Sequence, residues 1–162
     1  MIAQEIIGNI CSIDELSVFN KNALNSVTHI CNCQGVFNKG LAKSIRTKYP
    51  VVYDEYMKLC STSAPQHLLG TLQPVQVSQN IFFCNLFGQL NYGTQKRQLN
   101  YESLYLGLES QANMARNTPH AEFYYPKNMG SVLAGGNWYI VLSIINGLFK
   151  DLPNKVYIVN LG

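Results

Sequence analysis

The sequence contains no apolar run long enough to span a bilayer, and its opening stretch, MIAQEIIGNICSIDEL, has neither the basic start nor the extended apolar run of a secretory leader. A membrane anchor is set aside, and a cytoplasmic location is expected. Charge is scarce as well: 13% of the residues are charged, and 12 Lys+Arg against 9 Asp+Glu leave a formal net charge of +3. So weak a field, spread thinly along the sequence, gives no strong nucleic-acid signal, and any bound anion should be held by local groups. Metal-ligand spacing is also missing. Five cysteines stand at irregular intervals, only Cys31 and Cys33 close together, and a C-x-C on a strand turns both thiols to one face rather than around an ion. Buried, reduced thiols, no metal and no cofactor are expected. Internal repeats, low-complexity tracts and linkers are lacking too. What is present is 162 residues of which 47% are hydrophobic, enough for one compact domain over 1–162 with a substantial core, expected as a monomer.

Strand-like and helix-like segments alternate along that length. Ile2 to Ile7 predicts an opening strand, and Val27 to Cys33 a second, interrupted where Gln34-Gly35 breaks the β pattern. Gly40 opens a helix with Leu41, Ala42 and Ile45 at helical spacing, and Pro50 stops or kinks it before a second helical piece from Val51 to Leu59. Leu68 to Val77 and Asn80 to Leu86 read as strands about a polar turn at Ser78-Gln79. Asn100 is placed to cap a long helix whose inner face runs through Tyr101, Leu104, Leu108, Gln111, Ala112 and Ala115. A short strand over Glu122 to Tyr125, a helix from Trp138 to Phe149 with Trp138, Val141, Leu142, Ile145 and Phe149 inward, and a closing strand over Lys155 to Asn160 complete the pattern. The alternation predicts an α/β fold, a three-layer α/β/α sandwich around a central mixed sheet, in which ligands bind at the carboxyl ends of the strands.

Two glycine-rich turns fall where that rule puts a ligand: Gln34 to Gly40, and YPKNMGSVLAGGNW from Tyr125 to Trp138, each running from a strand into a helix start. Glycine lets backbone N–H groups approach an anion, and a helix N-terminus adds about half a positive charge. A phosphate or diphosphate is the natural occupant. Neither turn has the G-x-x-x-x-G-K-[ST] spacing of a P-loop, and the first lacks the G-x-G-x-x-G of a dinucleotide-binding turn, so nucleoside triphosphate and nicotinamide chemistry lose support.

The stretch HICNCQGVFNKGLA, followed well downstream by YPKNMGSVLAGGNW, resembles the macro domain family, the ADP-ribose-binding fold. Within that family it is similar to the branch containing the yeast-type ADP-ribose 1″-phosphate phosphatase, whose first loop reads H-x-x-N-C-x-G before a glycine-rich helix start. Gly8-Asn9-Ile10, FFCNLFGQ from Phe82 to Gln89 and LNYESL from Leu99 to Leu104 extend the likeness, in order, over nearly the whole chain. The resemblance implies ADP-ribose or a derivative as the small-molecule ligand. It places Asn9 and Ile10 at the adenine. Asn32 and the run Gln34, Gly35, Val36, Lys39, Gly40, Leu41 and Ala42 would surround the diphosphate and distal ribose. Gly130, Ser131, Val132, Leu133, Ala134, Gly135, Gly136, Asn137 and Trp138 would wrap the diphosphate and terminal ribose; Trp138, at a helix start, also reads as a core residue.

The chain departs from the family at several points. Asn9 stands where many macro domains have Asp, and Gly35 where many have a second Asn that holds the distal ribose. Relatives with a catalytic Lys carry it near Gln89, whereas Lys96 and Arg97 lie several residues later here, in a polar turn with Tyr92 that reads as a solvated loop or a phosphate-sensing flap. No Asp stands near Ala134 or Asn137, so the second loop has no carboxylate base. The resemblance implies hydrolysis of ADP-ribose 1″-phosphate to ADP-ribose and phosphate, with loop N–H groups taking up charge. His29, as acid, base or water-orienting group, and Asn32, facing the distal ribose, are the catalytic candidates. His29 shares a strand face with Cys31 and reads equally as a buried, hydrogen-bonded histidine. Removal of ADP-ribose from protein or nucleic acid, or non-catalytic reading of ADP-ribose, are the other functions this pocket allows.

Overall fold

The computed structural model describes residues 1–162 throughout. Strand β1 (Gln4–Ile7) leads into a 3-10 segment (Ile10–Glu15) and then the long strand β2 (Asn25–Asn32). Helices α1 (Gly40–Lys48) and α2 (Pro50–Thr62) follow. Pro50 separates them because it has no N–H to continue α1, while its fixed φ suits the first turn of α2. A single helical turn, α3 (Pro65–Leu68), precedes the hairpin of β3 (Leu72–Ser78) and β4 (Ile81–Gln89). The chain continues through α4 (Tyr101–Asn117), β5 (Glu122–Pro126), α5 (Trp138–Phe149) and β6 (Val156–Asn160). Both long helices start on an asparagine cap: Asn100 Oδ1 accepts from the Ser103 amide at 3.0 Å, and Asn137 Oδ1 from the Tyr139 amide at 2.9 Å.

The sheet order is β1-β6-β5-β2-β4-β3, with every neighbouring pair parallel except β3 and β4. It is therefore the mixed sheet expected from the alternation. The 3-10 segment, α1 and α2 cover one face, where Ile13, Ile45, Val52 and Tyr56 pack with Val27, Cys31, Phe83 and Phe87. The other face carries α4 and α5, whose Leu104, Leu108, Val141 and Ile145 pack with Leu86, Phe123, Tyr125 and Ile158. Two apolar layers on opposite faces make the three-layer sandwich, and explain why β2, in the middle, has no exposed residue.

Local boundaries differ where tertiary contacts intervene. The strand expected from Leu68 starts at Leu72, because Pro65 initiates α3 and Gly70, at positive φ, turns the chain before regular pairing with β4 begins. The strand expected from Ile2 starts at Gln4. The 3-10 segment was not foreseen; Asn9 initiates it by accepting from the Cys11 amide at 2.9 Å. Because β1, β6, β5, β2 and β4 run parallel, their carboxyl ends share one edge of the sheet.

Candidate ligand-binding site

Asn32 ends β2 at a register shift against β4, which re-aims its side chain into the loop that follows. Its Oδ1 accepts from the Gln34 amide at 2.9 Å, the Tyr56 hydroxyl at 2.9 Å and the Val36 amide at 3.4 Å, and its Nδ2 donates to Val36 O at 2.7 Å. Asn32, 7% exposed, thereby knots residues 33–39 into shape. Tyr56, on α2, completes the knot by accepting the Gly35 amide at 3.1 Å. Phe37 turns down from the same loop, packing against Tyr56 with ring centroids 4.8 Å apart and against His29 at 5.2 Å.

The second loop, residues 127–137, is closed at its neck by the bond from the Gly136 amide to Gly130 O at 2.9 Å. That approach admits no side chain, since a Cβ on Gly136 would lie 2.7 Å from Gly130 O and 2.4 Å from Leu99 Cδ2. The two loops meet, a Cβ built on Gly40 lying 3.5 Å from Leu133 Cδ1. A third loop, residues 90–99, braces both. Leu90 O accepts from the Cys33 amide at 3.3 Å and from Gln34 Nε2 at 3.0 Å, while the Gln98 and Leu99 amides donate to Ala134 O at 2.8 and 3.1 Å. Arg97 in this third loop lies over the Tyr101 ring, 4.7 Å from its centroid.

Unpaired donors define what this arrangement can bind. The amides of Gly40, Leu41 and Ala42 at the first turn of α1, and of Val132, Leu133, Ala134 and Gly135 in the second loop, donate to no acceptor within the protein. Ala134 is 6% exposed, so its free N–H belongs to a sheltered wall. Neither loop contains Asp or Glu. A set of N–H groups without protein acceptors at the carboxyl edge of a parallel sheet, in loops free of carboxylates, suits a phosphate-bearing ligand.

His29 does not reach that wall. It is 3% exposed beneath Phe37, and its Nε2 lies 2.6 Å from Asn85 Oδ1. A carbonyl oxygen only accepts, so the proton sits on Nε2. Asn85 Nδ2 in turn donates to Gln73 Oε1 at 3.0 Å, carrying a buried polar chain across β2, β4 and β3. Burial lowers the His29 pKa to about 4 against the bond to Asn85, leaving the imidazole neutral at pH 7. The expected acid, base or water-orienting group is thus a core residue in this structure. Burial likewise raises the Cys31, Cys33 and Cys84 thiols; Cys60 is only half-buried, unlike the other four cysteines.

Of the remaining expected residues, Gln34, Gly35, Val36, Lys39, Gly40, Leu41 and Ala42 lie in or just after the first loop, and Gly130 to Asn137 make the second. Trp138, 9% exposed, packs in the layer of α4 and α5, the core position its place at a helix start also allowed. Ile10 is 7% exposed, and Asn9 has committed its Oδ1 to the Cys11 amide, leaving Nδ2 as its free donor. The supporting parts played by Tyr56 and Leu99 carry no signal in the sequence, because they are set by contacts between segments distant along the chain.

Parallel strands sandwiched between helices, with glycine loops at their carboxyl edge, define a three-layer α/β/α class. Comparison with solved structures narrows it: a macrodomain protein from Streptomyces coelicolor superposes with a TM-score of 0.76 at 21% identity, covering 100% of both chains. The chain has the macrodomain fold. Its sequence is similar to the ADP-ribose 1″-phosphate phosphatase of Saccharomyces cerevisiae, at 29% identity over 92 residues, 53% of this chain and 51% of the relative. It is also 39% identical over 54 residues to the protein of that name from Scheffersomyces stipitis, 32% of this chain and 31% of the relative. The matched stretches thus span between about a third and a half of these curated relatives. No family model matches the chain.

Proposed function

We propose that the protein binds ADP-ribose and hydrolyses ADP-ribose 1″-phosphate to ADP-ribose and phosphate. The observation that carries this reading is the wall of unpaired amides at Gly40 to Ala42 and Val132 to Gly135, joined to the sequence similarity with phosphatases of that name. From Asn9, after β1, to the first loop, after β2, is three strand spacings, about 14 Å, a span suited to an extended dinucleotide-like ligand. Asn9 would take the adenine end, the second loop the diphosphate, and the first loop the distal ribose. In the chemical step a water oxygen attacks phosphorus as the bond to the 1″ oxygen breaks. One water proton ends on the released 1″ hydroxyl, and phosphate departs as hydrogen phosphate. Charge spread over the equatorial oxygens would be taken up by the free amides, and a loose transition state asks little of a base. The protein is taken to act as a cytoplasmic monomer.

A non-catalytic reader of ADP-ribose is the second reading, favoured by the burial of His29 and the lack of any carboxylate in the two loops. One experiment separates them. Calorimetry should show ADP-ribose binding in the micromolar range, on the order of −7 to −9 kcal/mol, with AMP weaker; phosphate release from ADP-ribose 1″-phosphate then distinguishes enzyme from reader. No heat with ADP-ribose would remove both readings.

A further inference from the structure

The molecule's positive charge is concentrated rather than scattered. Lys39, Lys43, Arg46 and Lys48 fall in a segment with no Asp or Glu and give it +4; the remaining 8 of the 12 Lys+Arg face 9 acids, so the rest of the chain stands at −1. The two ion pairs of the protein, Lys58–Glu55 and Lys127–Glu5, involve none of these cations. Lys48 is tied to Ser12 Oγ at 2.7 Å, but Lys43 and Arg46 open into a cleft of about 480 Å³ between α1 and α2. Asn38, Thr47 and Tyr53 line the same cleft, and its one carboxylate, Asp54, forms no ion pair. The Arg46 guanidinium carbon lies over the Tyr53 ring, 3.6 Å from its centre, and that ring packs on Phe37 of the first loop at 5.7 Å.

We propose that this face of α1 and its cleft bind the phosphodiester backbone of a single-stranded nucleic acid, outside the ligand site described above. A guanidinium seated on an aromatic ring is held in place for phosphate oxygens, where Arg is the preferred partner. Lys39, Lys43 and Arg46 rise along the helix in steps of about 4.5 to 6 Å, a row of cations suited to a chain of regularly repeated anions rather than to one. Asn38, Thr47 and Tyr53 add neutral hydrogen-bonding groups, and a cleft between two helices admits one strand more readily than a duplex. Lys39 belongs to the first loop, so a strand seated here has one end beside the ligand site.

Anisotropy of a fluorescein-labelled oligothymidylate, titrated with the protein from about 50 to 200 mM salt, tests this. Three or four phosphate contacts give a slope of log K against log salt of about −2 to −3, with dissociation constants of roughly 1 to 100 μM. The double variant Lys43→Glu/Arg46→Glu should bind at least tenfold more weakly, with unchanged melting temperature and ADP-ribose calorimetry. Lys43→Gln/Arg46→Gln, expected to lose about fivefold, carries the test should the first pair unfold. No anisotropy change at low salt, wild-type binding by a folded double variant, or competition by polyglutamate as strong as by unlabelled strand would each overturn the proposal. Because ADP-ribose calorimetry is run on the same samples, loss of the strand site and loss of the ADP-ribose reading are told apart.

Discussion

The Tyr56 hydroxyl lies 2.9 Å from the side-chain oxygen of Asn32, both residues buried, and accepts the Gly35 amide at 3.1 Å. Helix α2 thereby props the first loop from below. Tyr56→Phe removes one hydroxyl that serves as donor and acceptor, leaving buried groups unmatched. Stability should fall by about 1–3 kcal/mol and ADP-ribose affinity severalfold. Urea unfolding and calorimetry check this; wild-type values in both would mean that the loop holds its shape without α2.

His29 has a folded pKa of about 4 against an ordinary value of 6.5. The unfolded chain binds this proton first, so the contribution is complete above about pH 6.5 and is lost as pH falls toward 4, roughly 3 kcal/mol in all. His29→Gln, which retains a donor to Asn85, should remove most of that difference between unfolding at pH 7.5 and pH 4.5. Turnover per folded molecule should stay within a few-fold. A hundredfold loss of turnover with unchanged ADP-ribose affinity would restore the catalytic role expected from the sequence.

Gly135 has φ +75°, and a Cβ there would lie 3.1 Å from Arg97 Cα, a backbone atom that cannot swing aside. Gly135→Ala should weaken ADP-ribose at least tenfold, and Gly135→Glu, adding negative charge to the amide wall, should abolish binding while circular dichroism stays native. Normal binding by Gly135→Glu would show that the second loop is not the phosphate wall.

Within α4, Gly107 inverts the usual rule for helix interiors. Replacing a helical glycine with alanine ordinarily stabilises by about 1 kcal/mol, but here the new Cβ would sit 2.5 Å from Cγ of the fully buried Leu86. Gly107→Ala is expected to destabilise by about 1–3 kcal/mol through overpacking of the α4–β4 contact. A rise in melting temperature would contradict this packing.

The layers were legible because they rest on local signals. Asn100 followed by Tyr101, Leu104, Leu108 and Ala112 specifies a capped amphipathic helix without reference to the rest of the chain, and Gly35, Gly40, Gly130 and Gly135 mark the positive-φ turns of both loops. Asn32 and His29 were harder. Whether a polar residue at a strand end points to a ligand or into its own loop depends on the register shift against β4 and on a tyrosine from α2. Whether His29 is reached by solvent depends on where Phe37 folds. The third loop joins its neighbours largely through backbone bonds at Leu90 and Ala134, which no side-chain pattern reports. The basic row on α1 lay in plain sight, but its significance depends on which groups face it across space: a tyrosine from α2 and one carboxylate, Asp54, that pairs with none of its cations.

Strand β1 has a single neighbour in the sheet, β6, so Asn9 is held at the ligand edge only once Val156 to Asn160 have joined it. During synthesis the two glycine loops are therefore made before the corner at Asn9, proposed for the adenine, can be finished. A ribosome-bound chain lacking β6 would carry the phosphate wall but could not grip the whole nucleotide, and ADP-ribose would rescue a late folding defect far better than an early one.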